Sequence, residues 1–182
     1  MPPKKAQQKR TFTQTGPRLS TGKLKALEQE VGTDFPKDYR KFLLKTNGGV
    51  PEPGFFTYKR GSKPTLCWVE SFASVTDSKI DSLNFRGTNA ALWRWHVSGT
   101  PCPAGAIAIG SAGPYASILL FIAEPNAGEV WLKDWEAVDS RVGAKVRAED
   151  GLYRLAPTFD AFLKSLCDEE QAEASLKAAR KR

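Results

Sequence analysis

The chain predicts an α+β fold, a small antiparallel β-sheet flanked by two N-terminal helices and one C-terminal helix. Three observations carry this reading. Residues 20–45 hold two stretches with apolar side chains at helical spacing, and residues 54–135 switch to short aromatic or β-branched runs between Gly, Pro and Ser breaks. A last helical stripe opens near residue 156. Helices, then strands, then a helix is the order of an antiparallel sheet rather than of alternating βα units.

In the first helix, residues 20–31, Leu24, Leu27 and Val31 share one face, and Gly32 is the stop because glycine enters a left-handed cap without a Cβ penalty. The second begins after Asp34 and Pro36, whose fixed φ suits a first turn. Tyr39, Phe42 and Leu43 line one face of it, and Lys37, Asp38, Arg40, Lys41 and Lys45 the other. Asn47-Gly48-Gly49, followed by Pro51 and Pro53, ends it.

Strands are expected at 55–58, 66–72, 106–109 and 117–123, and the turn residues 124–128 join the last of these to 129–132 as a hairpin with a five-residue loop. Residues 109–114 read as a loop between strands, 90–95 as a helix and 139–151 as a polar excursion. The final helix opens at Ala156-Pro157-Thr158, with Phe159, Phe162, Leu163 and Leu166 at i, i+3, i+4 and i+7. Residues 168–179, rich in Ala, Glu, Gln and Lys, continue it.

With 182 residues, 41% of them hydrophobic and 26% charged, the chain has the length and composition of one globular domain. Five Trp and ten Phe can fill a single core. The net charge of +7 suggests nucleic acid, but its distribution does not. Residues 1–25 and 177–182 hold eleven of the 27 cations and no acid, so residues 26–176 carry 16 cations against all 20 carboxylates. Charge acts over about a Debye length, ~8–10 Å, so a mildly acidic body and two basic ends act separately. The expected organisation is a disordered basic tail at 1–18, an α+β domain at 19–170 and a basic C-terminal extension at 171–182, helical or frayed.

No apolar leader follows the first residues, and the longest apolar run, 118–123, is far short of the roughly 20 residues that span a bilayer. Cys67, Cys102 and Cys167 are an odd set without a C-x-x-C pair, which argues against a disulfide framework or zinc site and for a reducing cytoplasm.

No catalytic constellation emerges, and no metal or cofactor site is expected. His96 is the only histidine, so a His-based zinc site cannot be assembled, and beside Trp95 it reads as structural. Cys67 and Cys167 read as small hydrophobes. Asp134 with Glu136, and Asp77 with Asp81, read as solvated acids rather than acid/base pairs. Ile109-Gly110-Ser111-Ala112-Gly113-Pro114 lacks the Gly-Lys-Ser/Thr of a phosphate loop, and Ser111 lacks the nucleophile-elbow context. Trp93-Arg94-Trp95-His96 has the composition of a base-stacking platform, but packing is the favoured reading.

Phe35-Pro36-Lys37-Asp38-Tyr39-Arg40-Lys41-Phe42-Leu43-Leu44-Lys45-Thr46-Asn47-Gly48-Gly49 resembles the opening signature of the SUKH superfamily, which includes the fungal cell-wall-assembly regulator and many bacterial immunity proteins. The strand pair within 107–132 resembles its second landmark. Leu155-Ala156-Pro157-Thr158-Phe159-Asp160-Ala161-Phe162-Leu163 resembles its closing helix. The likeness spans roughly residues 20–167. It departs at Gly113-Pro114-Tyr115-Ala116, where members commonly carry Gly-Asp before the central strand.

The resemblance implies a non-enzymatic protein that acts by binding. In the bacterial branch such proteins sit in the cytoplasm and neutralise a cognate polymorphic toxin, often a nuclease. An anionic body suits a basic toxin cleft. The candidate contact groups are Glu52, Glu70, Glu124, Glu129, Asp134 and Glu136, all expected at the surface on loops and strand ends. No membrane partner is expected, nucleic acid only non-specifically through the tails, and a monomer is the favoured state. A regulatory scaffold like the fungal branch is the alternative, and weak nucleic-acid binding through the basic ends a second.

Overall fold

The computed structural model describes residues 10–75, 103–135 and 150–180. Helices α1 (Thr21–Val31) and α2 (Lys37–Lys45) lie where their apolar spacing puts them. The Ser20 side chain caps α1 by accepting from the Lys23 N–H, and Gly32 closes it in the left-handed conformation at φ 82°. Glu28, buried on α1, accepts from the Phe35 N–H at 2.8 Å and meets the Arg40 Nε at 3.4 Å, which fixes the corner between the helices.

The strands among the described residues are β1 (Thr11–Thr13), β2 (Val50–Glu52), β3 (Phe55–Arg60), β4 (Lys63–Phe72), β5 (Ala106–Ala112), β6 (Ala116–Phe121), β7 (Val130–Asp134) and β8 (Leu152–Ala156). β3 to β8 form a six-stranded antiparallel meander in sequence order, and β1 pairs with β2 as a separate ribbon. The sheet curls until its edge strands approach, with the rings of Tyr58 on β3 and Tyr153 on β8 at 5.3 Å. The hairpin around 124–128 forms as expected: Leu120 faces Val130, and the Phe121 N–H donates to the Glu129 carbonyl.

The apolar interior lies between the sheet and the helices. Phe42 of α2 and Phe159 of α3 (Phe159–Ser165) meet at 5.0 Å, and each lies 5.5 Å from Phe72 of β4. Inward side chains of the strands, among them Val69, Ile109, Ile118, Leu120, Val130 and Leu132, are buried against this centre. Ala108, Leu119 and Trp135 make a smaller buried cluster, joined by Trp131 and Leu152. Alternation along β6 and β7 assigns successive residues to the two clusters.

Four features differ from the sequence reading. Residues 11–13, taken from composition as part of a disordered tail, form β1. Phe12 supplies what composition hid, packing 5.4 Å from the Phe42 ring and 6.5 Å from Phe72. Residues 152–156 are a strand, its Leu-Tyr-Arg-Leu-Ala alternation too short to stand out beside the polar residues before it. The Ile109–Pro114 stretch is largely strand, and Gly110 is required there because a Cβ would lie 2.6 Å from the Ser71 carbonyl oxygen. The closing helix is two helices, α3 and α4 (Glu169–Ala179). Cys167 leaves the helix to exchange backbone hydrogen bonds with Phe55, and Asp168 then restarts it by accepting from the Gln171 N–H.

Candidate partner-binding surface

Asp38 and Asn47, the two polar residues that give the opening signature its character, are used up inside the fold. One Asp38 oxygen accepts from the Asp160 N–H at 2.9 Å, tying α2 to the start of α3. Asn47, 1% exposed and at φ 51°, donates to the carbonyls of Pro17 and Val75 and accepts from the Val75 N–H. Gly48 follows at φ 80°, where a Cβ would strike the Ala73 carbonyl. These residues build the scaffold.

The candidate acids fall into separate groups. Glu52 on β2 and Glu70 on β4 are exposed on neighbouring stretches, since β2 lies between two backbone ties to β4, Gly49 to Phe72 and Gly54 to Val69. Glu70 also lines an open cleft of about 310 Å3 with Gln14, Gly49, Val50, Ser71 and Ser74. Glu124 is exposed on the β6–β7 turn. Glu129 is half-buried, 2.6 Å from Arg154 and accepting from the Trp131 indole at 2.9 Å, so its charge is committed locally.

Asp134, expected at the surface, is 4% exposed. Its Oδ2 accepts from the Tyr58 hydroxyl at 3.0 Å and lies 3.4 Å from the Arg60 Nε. Asp134 ends β7 on the inward side of the curled sheet, and closure of the sheet brings β3 onto it. Glu136, His96, Cys102, the 93–96 segment and the helix read at 90–95 lie outside the described residues.

The sequence reading missed two aromatics. Trp68 and Tyr115 are the large hydrophobics that stand out into solvent among the described residues, at 43% and 52% exposure. Trp68 lies on β4 two residues before Glu70, so both project from the same face, and its ring is 6.3 Å from Phe55. Tyr115 sits in the β5–β6 turn two residues after Gly113, whose N–H donates to the Trp68 carbonyl. Trp68 and Glu70 thus share one exposed face of β4, with Glu52 on the neighbouring β2 and Tyr115 in the turn that the Gly113–Trp68 hydrogen bond ties to β4. Alternation pointed outward at Trp68, since Cys67 and Val69 on either side of it are buried, yet a tryptophan reads from sequence as core.

Cys67 is buried in β4, and burial pushes its thiol up to about 12, the state of an unreactive small hydrophobe. Burial, with Asp134 alongside, likewise raises the Tyr58 hydroxyl. Among the described residues no three His, Cys, Asp or Glu side chains are grouped to hold a metal, and no helix is long and apolar enough to cross a membrane.

Comparison with curated proteins finds no match to the chain. A family model, described as the SMI1 / KNR4 family (SUKH-1), matches residues 18–165, a stretch running from the end of the β1 arm through α3. That span contains the α2 signature, the full meander and the α3 helix that packs on them, and the chain belongs to the SMI1 / KNR4 family (SUKH-1).

Proposed function

We propose that this chain is a cytoplasmic, non-catalytic immunity protein that binds a cognate polymorphic toxin and occludes its active site, with a nuclease as the class of toxin its charge suits best. The observation that carries this reading is the exposed Trp68 beside the exposed Glu70 on β4, with Glu52 and Tyr115 exposed on segments tied to that strand. Trp and Tyr in the middle of an interface supply most of its binding energy. Carboxylates around them favour a basic counterpart and speed encounter. The 16 cations and 20 carboxylates of residues 26–176 give the whole body the same sign. Family membership supports action by binding, and toxin immunity is common among its members.

An interface that covers an active site buries roughly 1,200–2,000 Å2 in total, so Glu124 contributes only if the partner reaches the far turn of β6–β7. The test is a titration of the purified protein against the product of the adjacent toxin gene, with residual toxin activity read in parallel. The reading expects one-to-one binding that abolishes activity, and a loss of about 30-fold or more in affinity for Trp68→Ala. Glu70→Lys should weaken binding mainly by slowing association. Full protection of the toxin's target by a Trp68→Ala/Glu70→Lys double variant would overturn this surface. Absence of any binding would overturn the immunity reading.

A further inference from the structure

Helix α2 turns a different chemistry outward. Lys37, Lys41 and Lys45 recur every four residues along it, and with Arg40 and Leu44 they line a shallow groove of about 550 Å3. Leu44 and Lys45 also line a second hollow of about 450 Å3, whose other wall includes Thr15, Gly16 and Arg18. Leu44 and Lys45 line both hollows, so an apolar seat lies beside the lysines of α2 in the first and beside Lys45 and Arg18 in the second.

Lys37, Lys41, Lys45 and Arg18 are exposed, and none has a carboxylate within 4 Å among the described residues. Asp38, the one acid of this helix, is turned to the backbone N–H groups of Tyr39 and Asp160. Like charges four residues apart repel and Lys37 sits in the first turn, where the helix dipole disfavours a cation, whereas Lys45 in the last turn is favoured by it. The result is a cationic face on a body whose carboxylates outnumber its cations.

We propose that the groove along α2 binds an acidic protein segment that carries an apolar anchor residue. The cations match the acids and half-buried Leu44 seats the anchor. From Lys37 to Lys45 the helix rises about 12 Å, the length of roughly four residues of extended chain. A nucleic-acid strand fits less well. None of the lining residues is aromatic, so bases have no ring to stack on, and the Asn47 amide that borders the second hollow is committed to Pro17 and Val75.

The test is fluorescence anisotropy on the full chain with three labelled probes: an acidic octapeptide with one central Leu, the same peptide with Gly in place of Leu, and a single-stranded octanucleotide. The Leu peptide should bind best, more tightly at low salt. The exposed pair Lys41→Glu/Lys45→Glu should weaken it about tenfold or more, and Lys41→Ala/Lys45→Ala about threefold. The Gly peptide should bind about threefold or more weakly than the Leu peptide, from the lost anchor. Equal affinity for the two peptides, tighter binding of the oligonucleotide, or no binding of any probe overturns the proposal. So does an affinity unchanged by Lys41→Glu/Lys45→Glu, which would assign the binding to the basic ends.

Discussion

The Tyr58 hydroxyl on β3 donates to the Asp134 carboxylate at the end of β7 over 3.0 Å, although three strands separate β3 from β7 along the hydrogen-bonded sheet. The bond is possible because the sheet curls, and it ties the edge strand β3 to β7 from the inside. Arg60, 3.4 Å from the same oxygen, helps balance the charge. Asp134→Ala should cost about 1–3 kcal/mol, since it leaves the part-buried Tyr58 hydroxyl without this acceptor. Tyr58→Phe should cost only about 1 kcal/mol, and the two together less than their sum. Urea denaturation of the four proteins measures all three quantities. An Asp134→Ala variant as stable as wild type, but defective in partner binding, would make Asp134 a contact residue after all.

Phe12 makes the N-terminal arm part of the fold. Its ring touches Phe42 and Phe72, and two residues earlier Arg10 donates to the Leu166 carbonyl at 2.8 Å, reaching the end of α3. Phe12 is half-buried, so Phe12→Ala should destabilise by about 2 kcal/mol, below the 3–5 typical of a fully enclosed ring. Equilibrium denaturation of Phe12→Ala beside Thr11→Ala, an exposed neighbour on the same strand, gives the comparison. Equal stability of the two variants would return residues 11–13 to the tail.

Cys67 links stability to pH. Burial raises its thiol to about 12, so above about pH 8.5 the unfolded chain gives up a proton that the folded protein keeps. Its contribution is complete below that pH and declines as the pH climbs toward the folded value. Wild type should therefore lose roughly 1–2 kcal/mol more than Cys67→Ala between pH 8 and pH 10. Denaturant midpoints of both proteins across that range test it. Parallel curves would mean that the thiol is open to water in the folded state.

The helices were legible because their signals are local. Ser20, Gly32 and Thr158 cap within three or four residues of themselves, and the α2 stripe of Tyr39, Phe42 and Leu43 needs only helical spacing to be seen. β1, β2 and β8 were not legible: two are three residues long and one five, and each is a strand only because another pairs with it. The candidate acids divided for the same reason. Glu52, Glu70 and Glu124 are exposed, while Glu129 and Asp134 found local partners that the sequence does not place beside them.

Composition, spacing and capping residues were enough, without coordinates, to determine the α+β class, the positions of α1 and α2, the 117–132 hairpin and the likeness to the SUKH superfamily. Each depends on residues near one another in the chain, or on a count over all of it. Tertiary structure alone decided that Asp134 is inside and Trp68 outside, that Phe12 packs against the core, and that Lys45 of α2 shares a hollow with Arg18 and Leu44. Burial and charge environment are set by which distant segments meet when the sheet curls and the helices settle on it, and no local pattern of residues records that.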